Sequence, residues 1–479
     1  MCAMKLTRVL ALVLATAVAP LAAQSKTGYT AGQLTPHQQF TREIYKQLIE
    51  INSADKTGKV TPAAQAMLQR FKDAGFPDAD LFIGGPRAEK HNVVARLHGA
   101  AGSTKKPLLL LAHIDVVEAL KSDWSDNLDP FVFTERDGYY YGRGTADDKA
   151  MAAIFVANLI RLKKENYVPD RDIIVALTAD EEGGTANGVA WLLKNQPALV
   201  NAGLVFNEGG GGTTRDGKPL FNAVQATEKV FANVTIRTTN KGGHSSVPRP
   251  DNAITQLADA LANVGRYNFP IQFNEVTKGF FTETAKVESP EMSRAMLALV
   301  ANPKDAAAAK IVTKDPRYNS MLRTTCVATL LKGGHAENAL PQLAEANVNC
   351  RMFPGDTAEG TRDALKAAIG DPGVEVTTSF AKRPPEPPSP LLPELFDPVR
   401  RITKDMFGDI PVIPLMGTGA TDSRYFRQIN VPAFGVSGLF SDPAVDARAH
   451  GRDERMRIQS FFEGQEFLYR LTKAVAPGK

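Results

Sequence analysis

The chain has 479 residues, room for two or three domains, and its 43% hydrophobic and 23% charged residues are those of an ordinary globular protein. Its net charge of +4 is thinly spread, with no dense basic run carrying interleaved aromatics, which argues against a nucleic-acid partner.

The N-terminus reads as an export signal. Lys5 and Arg8 form a positive start, residues 9–18 an apolar core, and Pro20-Leu21-Ala22-Ala23 a small-residue exit. The apolar run is short for a membrane span and no later segment approaches its length. The expectation is a secreted or periplasmic protein without a span in the mature chain. Of the three cysteines, Cys2 lies inside that signal, while Cys326 and Cys350 occupy strand-like runs. A disulfide in an oxidising compartment and two buried thiols on neighbouring strands both fit, because sequence does not supply the geometry of a bridge.

Thr35-Pro36 starts a helix, with a capping hydroxyl and a proline in the first turn, and Phe40, Ile44 and Leu48 give it an apolar stripe. Thr61-Pro62 repeats the device, and that helix stops at Gly75. Strands are predicted at 80–83, 92–97, 108–111, 173–178 and 204–206, with helices at 149–163 and 189–194. This alternation argues a largely parallel α/β sheet, whose sites form at the carboxyl ends of the strands. From about residue 229 the pattern turns to α+β with an antiparallel sheet: strands near 230–237, 324–331, 345–352 and 374–380, and helices near 252–264 and 361–368. A proline-dense stretch, 383–393, closes it. The remainder reverts to α/β and ends in a helix near 461–475. The division is thus a signal at 1–24, a catalytic domain in two parts, 30–228 and 386–479, and a smaller insert, 229–385, serving as lid or dimerisation domain. The four glycines at 209–212 are no phosphate loop, since no Gly-Lys-Ser/Thr follows.

Four acid or imidazole groups fall at strand ends: His113, Glu181, Glu182 and Glu208. His113 and Asp115, two apart on an extended strand, point to one face, which suits a metal-bound imidazole whose second nitrogen meets a carboxylate. That pair alone fits a solvated strand end as well. Adjacent glutamates after a buried strand can divide labour, one as ligand and one as general base. Asp147, in a glycine-flanked acidic turn, would bridge two ions, with His113, Glu182, Glu208 and one more histidine completing the set. Seven histidines occur. His244, His335 and His450 lie in Gly-rich or polar turns suited to contact, whereas His37, His91 and His98 suit exposed structural roles.

The set resembles the co-catalytic zinc peptidase family of glutamate carboxypeptidase, succinyl-diaminopimelate desuccinylase, acetylornithine deacetylase and aminoacylase, over residues 35–468. Ala112-His113-Ile114-Asp115-Val116-Val117, the run Gly142-Arg143-Gly144 through Asp147 to Lys149, and Ala179-Asp180-Glu181-Glu182-Gly183 are similar to its three motifs. Asn207-Glu208-Gly209-Gly210 is more similar to the branch of yeast carboxypeptidase S and the secreted N-acyl amino acid hydrolases. The resemblance implies two zinc ions per subunit, with cobalt or manganese as substitutes. One would take His113, Asp147 and Glu208, the other Asp147, Glu182 and His450. Glu181 would be the general base, Asp115 would support His113, and the Asp147–Asp148 peptide would be cis. Lys241-Gly242-Gly243-His244-Ser245-Ser246 matches the histidine that stabilises the oxyanion, in dimeric members from the partner subunit. Asn338 and Arg351 match carboxylate-binding positions, and Gly419-Ala420-Thr421-Asp422-Ser423-Arg424 matches a substrate loop, which places Gly419 and Thr421 at the substrate.

Two departures stand out. Residues 273–319 exceed the insert of compact members, as a cleft wall or a replacement for dimer contacts. Lys149 is followed by Ala150-Met151 where a glycine pair is common. The implied protein is an exported two-zinc metallohydrolase cleaving a peptide or N-acyl amide bond beside a free carboxylate, as a carboxypeptidase or dipeptidase. The alternatives are an aminoacylase-type N-acyl amino acid deacylase and a non-catalytic exported metal-binding protein. Its partner is a small peptide or N-acyl amino acid, and a homodimer is allowed.

Overall fold

The computed structural model describes residues 32–125, 127–379 and 386–478. The export signal and part of the proline-dense stretch lie outside the described residues. Thr35 caps α1 (Pro36–Glu50) as its sequence predicts: its hydroxyl accepts from the Gln38 amide while the Gln38 side chain takes the Thr35 N–H. In α2 (Thr61–Asp73) Thr61 is already helical, and its hydroxyl donates to the Ala88 carbonyl instead of capping. The next elements are the hairpin β1 (Leu81–Arg87) and β2 (Lys90–Leu97), the wholly buried β3 (Leu108–His113), and a ribbon of β4 (Thr134–Arg136) and β5 (Tyr139–Tyr141). They are followed by α3 (Lys149–Lys164), β6 (Ile173–Thr178), α4 (Gly188–Asn195) and β7 (Leu204–Asn207). β3 pairs in parallel with both β6 and β7, so the three apolar strands end on one edge with their polar residues side by side.

Residues 211–228, which carry no clear sequence signal, form the hairpin β8 (Gly211–Arg215) and β9 (Lys218–Glu228) and extend this sheet. The glycines before it let backbones cross closely. Gly210 has φ +66°, and a Cβ there would lie 2.4 Å from the Gly435 carbonyl oxygen.

β10 (Val230–Thr239) leads into the smaller unit, through β11 (Gly243–His244) and α5 (Ala253–Arg266). Residues 273–319 then hold most of four short helices, α6 (Glu275–Thr284), α7 (Pro290–Ala301), α8 (Ala306–Val312) and α9 (Pro316–Leu322). Phe281, Met296, Leu299 and Leu322 pack with Phe353 and with Ile413 and Met416 of the large sheet. This long segment therefore joins the two sheets through an apolar core. β12 (Thr325–Gly333), β13 (Ala339–Leu340), β14 (Leu343–Met352), α10 (Ala358–Ile369) and β15 (Glu375–Thr378) complete the unit, whose antiparallel sheet has the order β12-β14-β10-β15. A disulfide joins Cys326 to Cys350, directly opposed on β12 and β14, which settles their pairing.

The chain returns through α11 (Pro393–Phe407), β16 (Val412–Gly417), α12 (Ser423–Gln428), β17 (Ala433–Gly435), β18 (Phe440–Ser441), α13 (Pro443–Asp446), β19 (Arg455–Arg457) and α14 (Ile458–Val475). The large, mostly parallel sheet runs β1-β2-β6-β3-β7-β17-β9-β8-β18, with β16 on β9. β19 pairs with β5, which draws the turn before it over the 142–148 segment. Among the described residues no helix is long and apolar enough to cross a membrane.

Candidate metal centre and active site

The strand ends converge on Asp147. His113 Nε2 lies 2.9 Å from Asp147 Oδ1 and 3.8 Å from Glu208 Oε2. His450 Nε2 lies 3.1 Å from Asp147 Oδ2 and 2.7 Å from Glu182 Oε1. Two triads result, His113–Asp147–Glu208 and Asp147–Glu182–His450. Within each, the candidate ligand atoms all fall within 4.8 Å of one another.

Local structure explains the convergence. Glu454 holds the acidic turn by accepting the amides of Gly144, Ala146 and Asp147 at 3.2, 2.7 and 3.2 Å, and it pairs at 2.6 Å with the buried Arg143. The Asp147–Asp148 peptide is cis. Asp115 meets His113 with two different oxygens. Its carbonyl is 3.1 Å from His113 Nδ1, while its carboxylate stands 3.6 Å away and accepts the amides of Glu181 and Glu182 at 3.1 and 3.0 Å. The backbone carbonyl is the nearer partner of the imidazole, and the carboxylate, within ion-pair reach of it, also fixes the glutamate loop. That loop leaves β6 through Asp180 at φ +64°, and His450 has φ +62°, left-handed conformations that cluster at functional sites. Asp180 is buried against Lys90, whose ammonium also meets Asp55.

The electrostatics are those of crowded acids. Burial, then the nearby Asp422, pushes Glu181 up to about 10. Burial lifts Glu208 to about 7 against the pull of His113, and lifts Asp422 to about 6 against its hydrogen bond from Asn187. Burial opposes the charge on His113, yet Glu208, Asp115 and Asp147 outweigh it and hold the imidazole well above its usual value. Asp147 stays below the usual carboxylate range despite its burial, because both histidines bond to it.

The other expected residues are less closely gathered. His244 is exposed on β11, where its Nδ1 accepts from the Ser246 amide and hydroxyl at 3.2 and 2.7 Å. Asn338 precedes the strand paired with β11, and its carbonyl accepts the Ser245 amide. Arg351, on β14, lies 5.7 Å over the Phe231 ring and makes no ion pair among the described residues. Gly419 faces open space, but the Thr421 hydroxyl is spent on Glu228 Oε2 at 2.8 Å, so that side chain ties the loop to β9. Sequence reasoning gave no role to Asp422, Glu454 or Lys90. Asp422 sits inside the 419–424 substrate loop, which was the available signal.

The donors fit a pair of divalent ions. Each triad offers imidazole nitrogen and carboxylate oxygen, as zinc prefers, and buried Glu182 Oε1 has no partner among the described residues beyond its 2.7 Å approach to His450 Nε2. Clustered buried carboxylates of this kind need cationic compensation.

Fold and site together define the metallopeptidase and amidohydrolase class of α/β enzymes. The chain belongs to peptidase family M20/M25/M40, whose model matches residues 109–474. It is 28% identical over 445 residues to human N-fatty-acyl-amino acid synthase/hydrolase PM20D1, covering 90% of this chain and 86% of that one. It is 27% identical to human aminoacylase-1 over 379 residues, 78% of this chain and 81% of that one. The crystal structure of an M20 family metallo-carboxypeptidase from Sulfolobus solfataricus superposes with a TM-score of 0.65 at 18% identity, covering 92% and 99% of the two chains.

Proposed function

We propose that this chain is an exported two-zinc amidohydrolase that removes the acyl group from an N-acyl amino acid. The observation that carries the reading is Asp147, shared by two complete ligand triads beside a glutamate, Glu181, that belongs to neither. The acyl class is supported by the likeness to the N-fatty-acyl-amino acid hydrolase and to aminoacylase-1. Cleavage of a carboxy-terminal peptide bond is the second reading, favoured by the fold of the Sulfolobus carboxypeptidase. The Cys326–Cys350 bridge suits export to an oxidising compartment.

His113, Asp147 and Glu208 would hold one ion, and Asp147, Glu182 and His450 the other. Bound there, the ions supply Lewis-acid polarisation of the scissile carbonyl and acidify a water. The ions' charge would offset the neighbouring acids that raise Glu181, so that as a carboxylate it takes the proton of the attacking water and returns it to the leaving amine. His244 accepts at Nδ1 from the Ser246 amide, which leaves Nε2 to donate to the developing oxyanion. Arg351, Asn338 and the backbone at Gly419 receive the substrate's carboxylate. A homodimer belongs to the proposal. Among the described residues β12 is an edge strand whose Val327, Leu330 and Leu331 are 61%, 65% and 69% exposed, as an intersubunit surface would be.

The test is a substrate screen of the zinc-loaded mature protein, with bound metal counted in the same sample. Two ions per chain and cleavage of N-acyl amino acids ahead of dipeptides are expected. Dipeptide cleavage alone would favour the second reading, and bound metal without turnover of either would end both.

A further inference from the structure

A cavity of about 320 Å³ opens off the shared Asp147 and the Glu208 of the first triad. Such a volume is within the roughly 300–1,000 Å³ of small-molecule pockets. It begins at Asp147 and Glu208 and does not reach Glu181 or the 419–424 loop. From there its wall passes to Met151, Leu439, Phe440 and Met456. Met151 is the residue that stands where a glycine is common in the second motif, so a thioether side chain forms part of the wall at that point.

The cations on the same wall are largely spent. Arg455 and Arg457 reach Asp446 at 3.4 and 2.7 Å, and Arg455 also stacks at 4.0 Å over Tyr139. Paired in this way they offer the cavity mainly their aliphatic stems. Arg448 lines it too, without an ion pair among the described residues. A scissile carbonyl held at Asp147 has one flank carrying the amino acid's carboxylate and one carrying the acyl group. Arg351, without an ion pair among the described residues, and the open Gly419 loop do not line this cavity, which is therefore free for the second flank.

We infer that the cavity is the acyl-chain pocket, taking a linear alkyl chain against Met151, Leu439, Phe440 and Met456. The assignment rests on the N-acyl amino acid reading above. It makes Met151 and the rim residue Ala447, which is exposed, the positions that set chain length.

The experiment measures kcat/KM for N-acetyl, N-butanoyl, N-octanoyl and N-dodecanoyl forms of one amino acid, with wild type, Ala447→Trp and Met151→Ala, all zinc-loaded. The readout is each protein's ratio of long-chain to acetyl turnover. One methylene in an apolar pocket changes such ratios by roughly tenfold or more. Ala447→Trp narrows the mouth and should lower the dodecanoyl-to-acetyl ratio by about that factor. Met151→Ala deepens the floor and should move the optimum toward longer chains. Ratios within about twofold of wild type in both variants would overturn the assignment while leaving the deacylase reading intact. So would a preference for a chain ending in a carboxylate over the plain chain of equal length, which would give the pocket to Arg448 and an anion. Failure to cleave any N-acyl amino acid, acetyl included, would remove both the pocket assignment and the reading it rests on.

Discussion

His450 Nε2 lies 3.1 Å from Asp147 Oδ2, on the oxygen that His113 leaves free. One carboxylate thus faces two imidazoles more than 300 residues apart in the chain, the geometry on which the proposed bridging role rests. Asp147→Ala should weaken both metal sites, whereas His450→Ala should weaken mainly one. Zinc titration followed by calorimetry distinguishes them. One weakened site in each variant would remove Asp147 from the bridge.

His244 sits outside both triads, so its loss should leave the metal in place. His244→Ala should lower kcat by roughly 10²–10³ with little change in KM, the pattern of a group that bonds only the transition state. If it arrives from a second subunit, mixing inactive His244→Ala with inactive Glu181→Gln should restore part of the activity. No recovery in a demonstrated mixed dimer would place the histidine in the same chain.

Lys229, buried where the large sheet passes into the small one, donates to the Ser320 and Arg323 carbonyls at 2.9 Å and the Thr325 hydroxyl at 3.0 Å. Burial, and then Arg351, lowers it from its ordinary 10.5 to about 7. Between these values the unfolded chain binds more protons than the folded one, so its contribution to stability rises with pH there and is lost as pH falls toward about 7. The Tm of wild type should therefore climb more between about pH 7 and pH 10 than that of Lys229→Met. An equal climb would show that Lys229 titrates normally.

Much of the site was legible because its residues follow buried strands. Uninterrupted apolar runs ending in His113, Glu181 and Glu208 allow few arrangements other than parallel neighbours with a common edge. His450 became a candidate ligand only by resemblance, since its placement depends on β19 pairing with β5, a contact between distant segments that no local pattern encodes. The same applies to Asp115. The spacing correctly put it beside His113, but which of its oxygens meets the imidazole is decided by the glutamate loop, whose amides claim the carboxylate. The β8–β9 hairpin escaped notice because a glycine-rich strand lacks side chains to show a period of two. Residues 273–319 gave no architecture because their apolar faces are satisfied by Ile413 and Met416, far along the chain.

The central claim is that Glu181 moves the proton at a site whose ions are held by other residues. Its most direct test is Glu181→Gln, with kcat on an N-acyl amino acid and bound zinc measured on one preparation. The account predicts two zinc ions retained and a loss of at least roughly 10²-fold in kcat, the usual scale of general-base catalysis. A near wild-type rate, or loss of a metal ion with the rate, would contradict it.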